Sequence, residues 1–340
     1  MVLAPFDAAD INAVAAAADP AQAHLTAAWF GAADPDYSVI GARRDDGSPL
    51  LAIPFQTRSM GPFTVNQVAG SYWPFRSFPI AADLRDNELA AFLADPGFAR
   101  AAGRIWRMGP IYSDDPTASR LIALAPAQGW QVIRKPLAQC YELDLAAIRA
   151  AGPWPKGSTA RKNRARERKL AGDGAVEYRF FDGTKIDDTL MEAMAAIEAK
   201  SWLAQLDGGG DTKFLDPKIR EIWSRIARDP GLAPKLFGSL MTAQDKPIAF
   251  TFGLEIKDRR YYIANNYDAD YAKFGPGKLL LYKDFEQATE RNIGTISWGA
   301  GDAGYKTDMG AAPGPDIVDL LFVRGRALAA LLRPIFLRKA

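Results

Sequence analysis

Three hundred and forty residues, 48% apolar and 24% charged, are enough for two domains of about 150–190 residues each, and a formal net charge of +2 describes a chain that is not generally basic. The single cysteine, Cys140, excludes an internal disulfide and any Cys-cluster metal site; the single histidine, His24, excludes zincin sites and facial triads, so no metal is expected. No run of about 18 apolar residues and no signal-like start at Met1–Asp10 are present, which reads as a cytoplasmic protein without a transmembrane segment.

Along the first half, Pro20–Phe30 has the pattern of a helix, with His24 half-buried near Trp29. Short extended runs follow at Tyr37–Arg43, Leu50–Thr57 and Thr64–Ala69, separated by turns at Asp45-Asp46-Gly47 and Gly61-Pro62. The aromatic loop Ser71–Pro79 could stack sugar rings through Tyr72, Trp73 and Phe75 if exposed, or pack against protein. Next come a helix at Asn87–Leu93, a strand at Arg104–Met108, a helix at Thr117–Gln128 and strands at Trp130–Arg134 and Cys140–Leu145. Prolines and glycines in Ala146–Gly157 suggest the boundary between domains 1–150 and 151–340. The second half reads as helices at Thr159–Leu170, Asp187–Leu203 and Pro217–Arg228, then strands at Lys235–Thr242, Ile248–Ile256 and Arg260–Tyr267. A loop, a helix at Lys278–Arg291 and a strand at Thr295–Gly299 complete it. The fold class is mixed α/β.

Chemistry concentrates where the strand ending at Tyr267-Asp268 passes through a Gly/Pro loop into a helix. The start of a helix carries unpaired N–H groups and the positive end of the dipole, which suit a phosphate. Pro276 fits the first helical position, Gly277 lets a ligand approach the backbone, and Lys278 adds a cation. With one histidine in the chain, catalysis must lean on carboxylates, tyrosine, lysine and backbone amides. Acyl transfer from an activated thioester tolerates that.

Tyr267-Asp268, Phe274-Gly275-Pro276-Gly277-Lys278-Leu279-Leu280, Gly299-Ala300-Gly301-Asp302 and Tyr305-Lys306 together resemble the catalytic domain of the cellulose-biosynthesis-type acetyltransferases of the GNAT superfamily, relatives of the Fem-type peptidyltransferases. The likeness covers roughly residues 155–306 and, weakly, the first half. It departs from the usual GNAT loop, Arg/Gln-x-x-Gly-x-Gly/Ala, where this chain has Lys273-Phe274-Gly275-Pro276-Gly277-Lys278. The resemblance implies tandem GNAT-like domains, the first without a donor loop. It also implies acetyl-CoA or another acyl-CoA on Phe274, Gly275, Pro276, Gly277, Lys278 and Leu279, and an acceptor amine or hydroxyl such as that of a sugar or polysaccharide precursor.

Each remaining candidate has two readings. Asp302 positions an acceptor or takes its proton, Tyr305 protonates the departing thiolate, and Lys306 binds an acidic acceptor or a CoA phosphate; otherwise the three form a turn. Tyr267 and Asp268 line the acceptor pocket or begin a turn. Lys200 reaches the site or stays at the surface, Trp202 packs, and Gly208-Gly209-Gly210-Asp211 is an acceptor loop or a connector. Lys156–Lys169 carries a local charge of +6, with Arg161, Arg164 and Arg168 on one helical face and Lys162, Arg166 and Lys169 around another. That helix could hold CoA, RNA or another anionic polymer, or remain a solvated face. The alternatives to acyl-CoA transfer are a Fem-type enzyme using charged tRNA and a non-catalytic module binding an anionic polymer or surface.

Overall fold

The computed structural model describes residues 2–60, 63–70, 74–172, 174–205, 211–302 and 304–338. The chain divides into two compact units, Met1–Cys140 with Gly314–Ala340, and Tyr141–Pro313. The last stretch of the chain therefore belongs with the first unit.

In chain order the first unit supplies β1 Val2–Pro5, α1 Ala8–Ala17, α2 Ala27–Gly31, β2 Ser38–Arg43, β3 Pro49–Met60 and β4 Phe63–Val68. It continues through α3 Asp86–Ala94, α4 Pro96–Ala102, β5 Ile105–Tyr112, α5 Pro116–Leu124 and β6 Trp130–Asp144, whose last residues lie in the second unit. The second unit adds α6 Leu145–Ala150, α7 Gly157–Ala171, β7 Val176–Asp182, α8 Asp188–Ala199, α9 Pro217–Arg228 and β8 Leu236–Ala243. Then follow β9 Lys246–Ile256, β10 Arg259–Tyr267, α10 Pro276–Glu290, β11 Thr295–Ala300 and α11 Tyr305–Asp308. β12 Ala312–Arg324 and α12 Arg326–Leu337 end the chain.

Both units repeat one topology. In the first, β1 to β4 form an antiparallel meander and β5 pairs parallel with β4. In the second, β7 to β10 form the meander and β11 pairs parallel with β10. Each is a mixed sheet flanked by helices, as the sequence implies.

Several elements differ from the expected ones. Pro20–Phe30 is not one helix: a 3₁₀ turn at Pro20–Gln22 stops, and Thr26 caps a new start by accepting the Trp29 N–H at 3.4 Å. His24 is buried between them, edge-on to Trp29 and Phe75. Phe75 is buried as well, so it offers no stacking platform; Tyr72 and Trp73 lie outside the described residues. The two strands expected at Trp130–Arg134 and Cys140–Leu145 are one, β6, because Pro136 falls at an exposed position where the missing N–H costs little. The helix expected to run to Leu203 stops at Ala199, and a 3₁₀ turn at Trp202–Gln205 follows.

The core of the first unit stacks Trp106 on Phe322 at 3.9 Å between ring centres, with Phe98 and Trp130 beside them. In the second unit β9 is the apolar centre, and Trp223 of α9 meets Phe252 edge-on at 5.1 Å. Trp154, in the segment read as a domain boundary, packs on Tyr282 and Phe285 of α10.

One irregularity positions the site. The register of β10 against β9 shifts between Tyr262 and Ala264, a bulge at Ile263. The Tyr262 hydroxyl donates to Asp284 of α10, and Tyr267, five residues later, meets Gly277 of the same helix. Strict alternation would put them on opposite faces; the extra residue restores them to one face and turns Asn266 toward Glu198 of α8. Opposite the bulge stands Gly253, where a Cβ would come within 1.9 Å of the Tyr261 carbonyl oxygen. Gly253→Ala is expected to cost at least ~2 kcal/mol of stability, seen as a lower midpoint in urea denaturation.

Candidate active site

The parallel ladder of β10 and β11 is short, running from Arg259↔Thr295 to Tyr261↔Ser297. Both strands continue past it, β10 to Tyr267 and β11 to Ala300. Where they part, a cleft of about 590 Å³ opens, within the range of small-molecule sites. Asn265, Asn266 and Tyr267 line it from β10, Ala300 to Asp302, Tyr305 and Lys306 from the other strand and its loop, and Gly275, Gly277, Lys278 and Leu281 from the helix start. Tyr267, Gly275, Gly277, Lys278, Asp302, Tyr305 and Lys306, separated by up to 39 positions in the sequence, thus meet in one place.

The helix start is open. Gly275, at φ +64°, makes the left-handed turn into α10, which explains a glycine there. Pro276 is the first helical residue, and among the described residues no side chain caps the helix. Proline has no N–H and the Leu279 N–H already reaches the Gly275 carbonyl, so the amides of Gly277 and Lys278 are the two left over. Gly277 has a further reason to be glycine: a Cβ would lie 2.9 Å from Tyr267 Cδ1. The space a side chain would need there is taken by this ring. Phe274 and Leu279 turn to the core instead, Phe274 half-buried and Leu279 buried.

The loop after β11 is built from inside. Lys306 is buried, and its Nζ points at the carbonyl oxygens of Trp298 (3.0 Å), Ala300 (3.1 Å) and Gly301 (2.5 Å). It holds the loop, which leaves it little to offer an acidic acceptor or a phosphate. Asp302 is exposed; Oδ1 accepts the Gly304 N–H at 2.8 Å and Oδ2 accepts the Thr307 hydroxyl. The Thr307 hydroxyl, followed by the amides of Gly304 and Thr307, holds its carboxyl below the usual range against slight desolvation. A carboxylate so occupied is a weak base, and of the two roles read for Asp302, positioning is the one its surroundings favour. Tyr305 is half-buried beside Trp298; burial raises its phenol, and the Asn265 amide at its oxygen opposes part of that.

Asn266 was absent from the sequence reading. It is buried, its Nδ2 donates to Glu198 Oε1 at 3.3 Å, and its Oδ1 has no partner among the described residues. Glu198, fully buried, accepts N–H groups from Lys213 (2.9 Å), Phe214 (2.7 Å) and Leu215 (2.9 Å), so its carboxylate fixes the Asn266 amide. Asn265 Oδ1 is likewise buried with no hydrogen-bond partner among the described residues. Both residues line the cleft, but their amide oxygens are buried in its wall. Adjacent asparagines within a strand, where asparagine is depleted, were the available signal.

Asp268 is buried away from the cleft, caps the following 3₁₀ turn through the Asp270 N–H and pairs with Lys200 Nζ at 2.9 Å. The turn reading of Asp268 is the one its contacts support. Trp202, read as packing, is 55% exposed and lines the cleft. Gly208, Gly209 and Gly210 lie outside the described residues. On α7, Arg161, Arg164 and Arg168 line a separate depression of about 400 Å³ with Glu167, Ala171 and Val176. The arginine that comes to the helix start is Arg166, whose guanidinium lies 3.9 Å from the Cβ position of Gly275. Lys306→Met is expected to release the loop, costing about 1–3 kcal/mol and lowering the thermal midpoint more than a change at half-buried Lys278.

An antiparallel meander, a parallel fifth strand splayed from the fourth, and a helix opening at the splay define, twice in this chain, the architecture of tandem GNAT proteins. In agreement, residues 157–307 match the acetyltransferase (GNAT) domain family. A crystal structure of FemX superposes with a TM-score of 0.65 at 11% identity, covering 98% of this chain and 100% of FemX. A conserved protein of unknown function from Bacteroides thetaiotaomicron VPI-5482 gives 0.57 at 15% identity over 94% and 99% of the two chains. A tandem GNAT protein from the clavulanic acid biosynthesis pathway gives 0.51 at 13% identity over 96% and 99%. No curated protein matches the chain in sequence. Among the described residues no helix is long and apolar enough to cross a membrane.

Proposed function

We propose that this chain is a GNAT-type acyltransferase that moves an acyl group from acyl-CoA, acetyl-CoA in the simplest case, directly to an amine or hydroxyl of a small molecule or saccharide. The observation that carries this reading is the uncapped start of α10, with the free amides of Gly277 and Lys278 at one end of the cleft between β10 and β11. Two amides, the helix dipole, Lys278 and Arg166 make a fitting seat for a pyrophosphate. The donor would bring an activated thioester. The protein would supply position, exclusion of water and a proton at the Tyr305 hydroxyl. As the acceptor's bond to the acyl carbon forms and the thioester C–S bond breaks, the acceptor's proton would pass to water and the thiolate would take its proton from Tyr305. A sugar acceptor, and kinship with the cellulose-biosynthesis-type enzymes, rest on the motif resemblance.

The first unit reads as the copy without a donor site. Its corresponding helix, α3, begins with Asp86 and Glu88, and the Glu88 carboxylate already accepts the Arg85 N–H at 2.9 Å. A helix start that carries its own anions repels a phosphate.

Calorimetric titration with acetyl-CoA and with desulfo-CoA tests the donor seat. Binding in the micromolar range is expected, weakened about 10-fold, or ~1.4 kcal/mol, in Arg166→Ala and in Lys278→Ala. No binding of either ligand would overturn the reading. Once an acceptor is found, Tyr305→Phe is expected to lower kcat by about 100-fold with donor affinity unchanged. Because the acid form is the active one and burial raises the Tyr305 pKa, activity should persist as pH rises and fall only above the ordinary tyrosine value of about 10. An alkaline limb at neutral pH that vanishes in Tyr305→Phe would contradict the assignment.

A second reading, aminoacyl transfer from charged tRNA, has one observation in its favour: Arg161, Arg164 and Arg168 line a depression of their own, outside the cleft. It expects RNA binding that weakens steeply with salt and disappears when the three become alanine.

A further inference from the structure

The sheet of the second unit ends at β7, which pairs with β8 and with no other strand among the described residues. The Gln244 N–H donates to the Ala175 carbonyl at 3.2 Å, and the register runs on without a shift from Val176↔Ala243 to Asp182↔Phe237. Antiparallel pairing alternates, so the odd-numbered residues of β7 turn their N–H and C=O groups to β8. Those of Val176, Tyr178 and Phe180 turn outward, to the open edge. Edge strands are commonly defended by proline, a bulge or charge of one sign. β7 has no proline and no shift of register, and its two exposed charges, Glu177 and Arg179, are opposite in sign.

The strand is complementary to itself. Laid antiparallel on a second copy with Tyr178 opposite Tyr178, it sets Val176 opposite Phe180 and Glu177 opposite Arg179, each pair occurring twice. The same register brings the outward N–H and C=O groups of one copy against those of the other. Val176 and Tyr178 pack on the core beneath, while Phe180, on their face of the strand, is 37% exposed. Val176 also lines the depression of about 400 Å³ beside Arg161, Arg164 and Arg168. A Phe180 ring from the second copy, standing opposite Val176, meets that depression, and guanidinium groups suit an aromatic face. The Val176 residues of the two copies stand about 13 Å apart along the strands, so the arginines of the two α7 helices lie at opposite ends of the joint. We infer that β7 joins two copies of this chain edge to edge, in an antiparallel pair centred on Tyr178. The depression on α7 is then filled by protein, in place of the RNA that the second reading would seat there; the cleft and the acyl-CoA reading are untouched.

Sedimentation equilibrium of the full chain is the test. The wild type is expected to form a dimer at micromolar concentrations. Glu177→Arg alone and Arg179→Glu alone should each weaken it at least about 10-fold, because like charges then stand opposite one another at two places. Mixed in equal amounts, the two variants should regain a dimer with one copy of each, since one brings two cations and the other two carboxylates to the same positions. Phe180→Ser should weaken the wild-type dimer by about 10-fold as well. All three side chains are exposed, so unchanged circular dichroism should accompany each loss. A monomeric wild type overturns the inference. So does a dimer that both charge variants keep, which would place the contact elsewhere. A mixture that stays monomeric overturns it too, since Glu177 and Arg179 would then not face each other.

Discussion

The bulge at Ile263 is the constraint on which the second unit turns. A β-strand alternates its side chains without exception, so one strand cannot face α10 at positions five residues apart. One inserted residue lets β10 bind α10 twice, through Tyr262 on Asp284 and through Tyr267 on Gly277, while Asn266 is handed to the other side. Arg260 anchors the first of these contacts from within the core, donating to Glu255 at 2.9 Å and to the Asp284 carbonyl at 3.0 Å. Burial drives the Asp284 carboxyl upward and Tyr262 far upward; the Tyr262 hydroxyl on Oδ2 and the Arg260 guanidinium, 3.2 Å from Oδ1, offset part of that cost. With β10 held this way, β11 follows it for three residue pairs and then departs, and the cleft is the space left between them.

The same topology gives a different result in the first unit. There β4 and β5 also pair briefly in parallel, at Asn66↔Trp106 and Gln67↔Arg107. Beyond that point Phe75 forms a bridge to Ile111 and the Arg76 N–H reaches the Pro110 carbonyl, so the chain itself lies along the far end of β5. One architecture thus keeps a cleft in one copy and lays a peptide against the strand in the other. The difference lies in loops and helix starts, while the sheets agree.

Much of this was legible in the sequence because its signals were local. Pro217–Arg228 was read to the residue, since Asp216 caps it, Pro217 opens it and Asp229 ends it. The Gly275-Pro276-Gly277-Lys278 start announced itself by glycine and proline chemistry alone, and most of the motif residues do line one cleft. What was not legible depends on tertiary contact. Nothing in the spelling of Lys306 says that it points inward at carbonyls, and nothing near Asp268 says that Lys200 occupies it. The bulge, which decides which asparagine faces which helix, is invisible to a period-2 reading. Helical spacing puts Arg164 and Arg166 on different faces of one basic helix, and only the packing of α7 says which face meets the start of α10.

Lys306 carries a last consequence. On the proposed acyl-CoA reading, the cleft would have to keep its own amines from being consumed, and a lysine is the residue most exposed to that fate. Here the ammonium lines the cleft, yet its N–H groups are committed to the carbonyls of Trp298, Ala300 and Gly301. An amine held as a donor on every side has no lone pair to present. The loop is stapled by a side chain that, on that reading, would otherwise compete with the acceptor, in an arrangement that would keep it from being acylated.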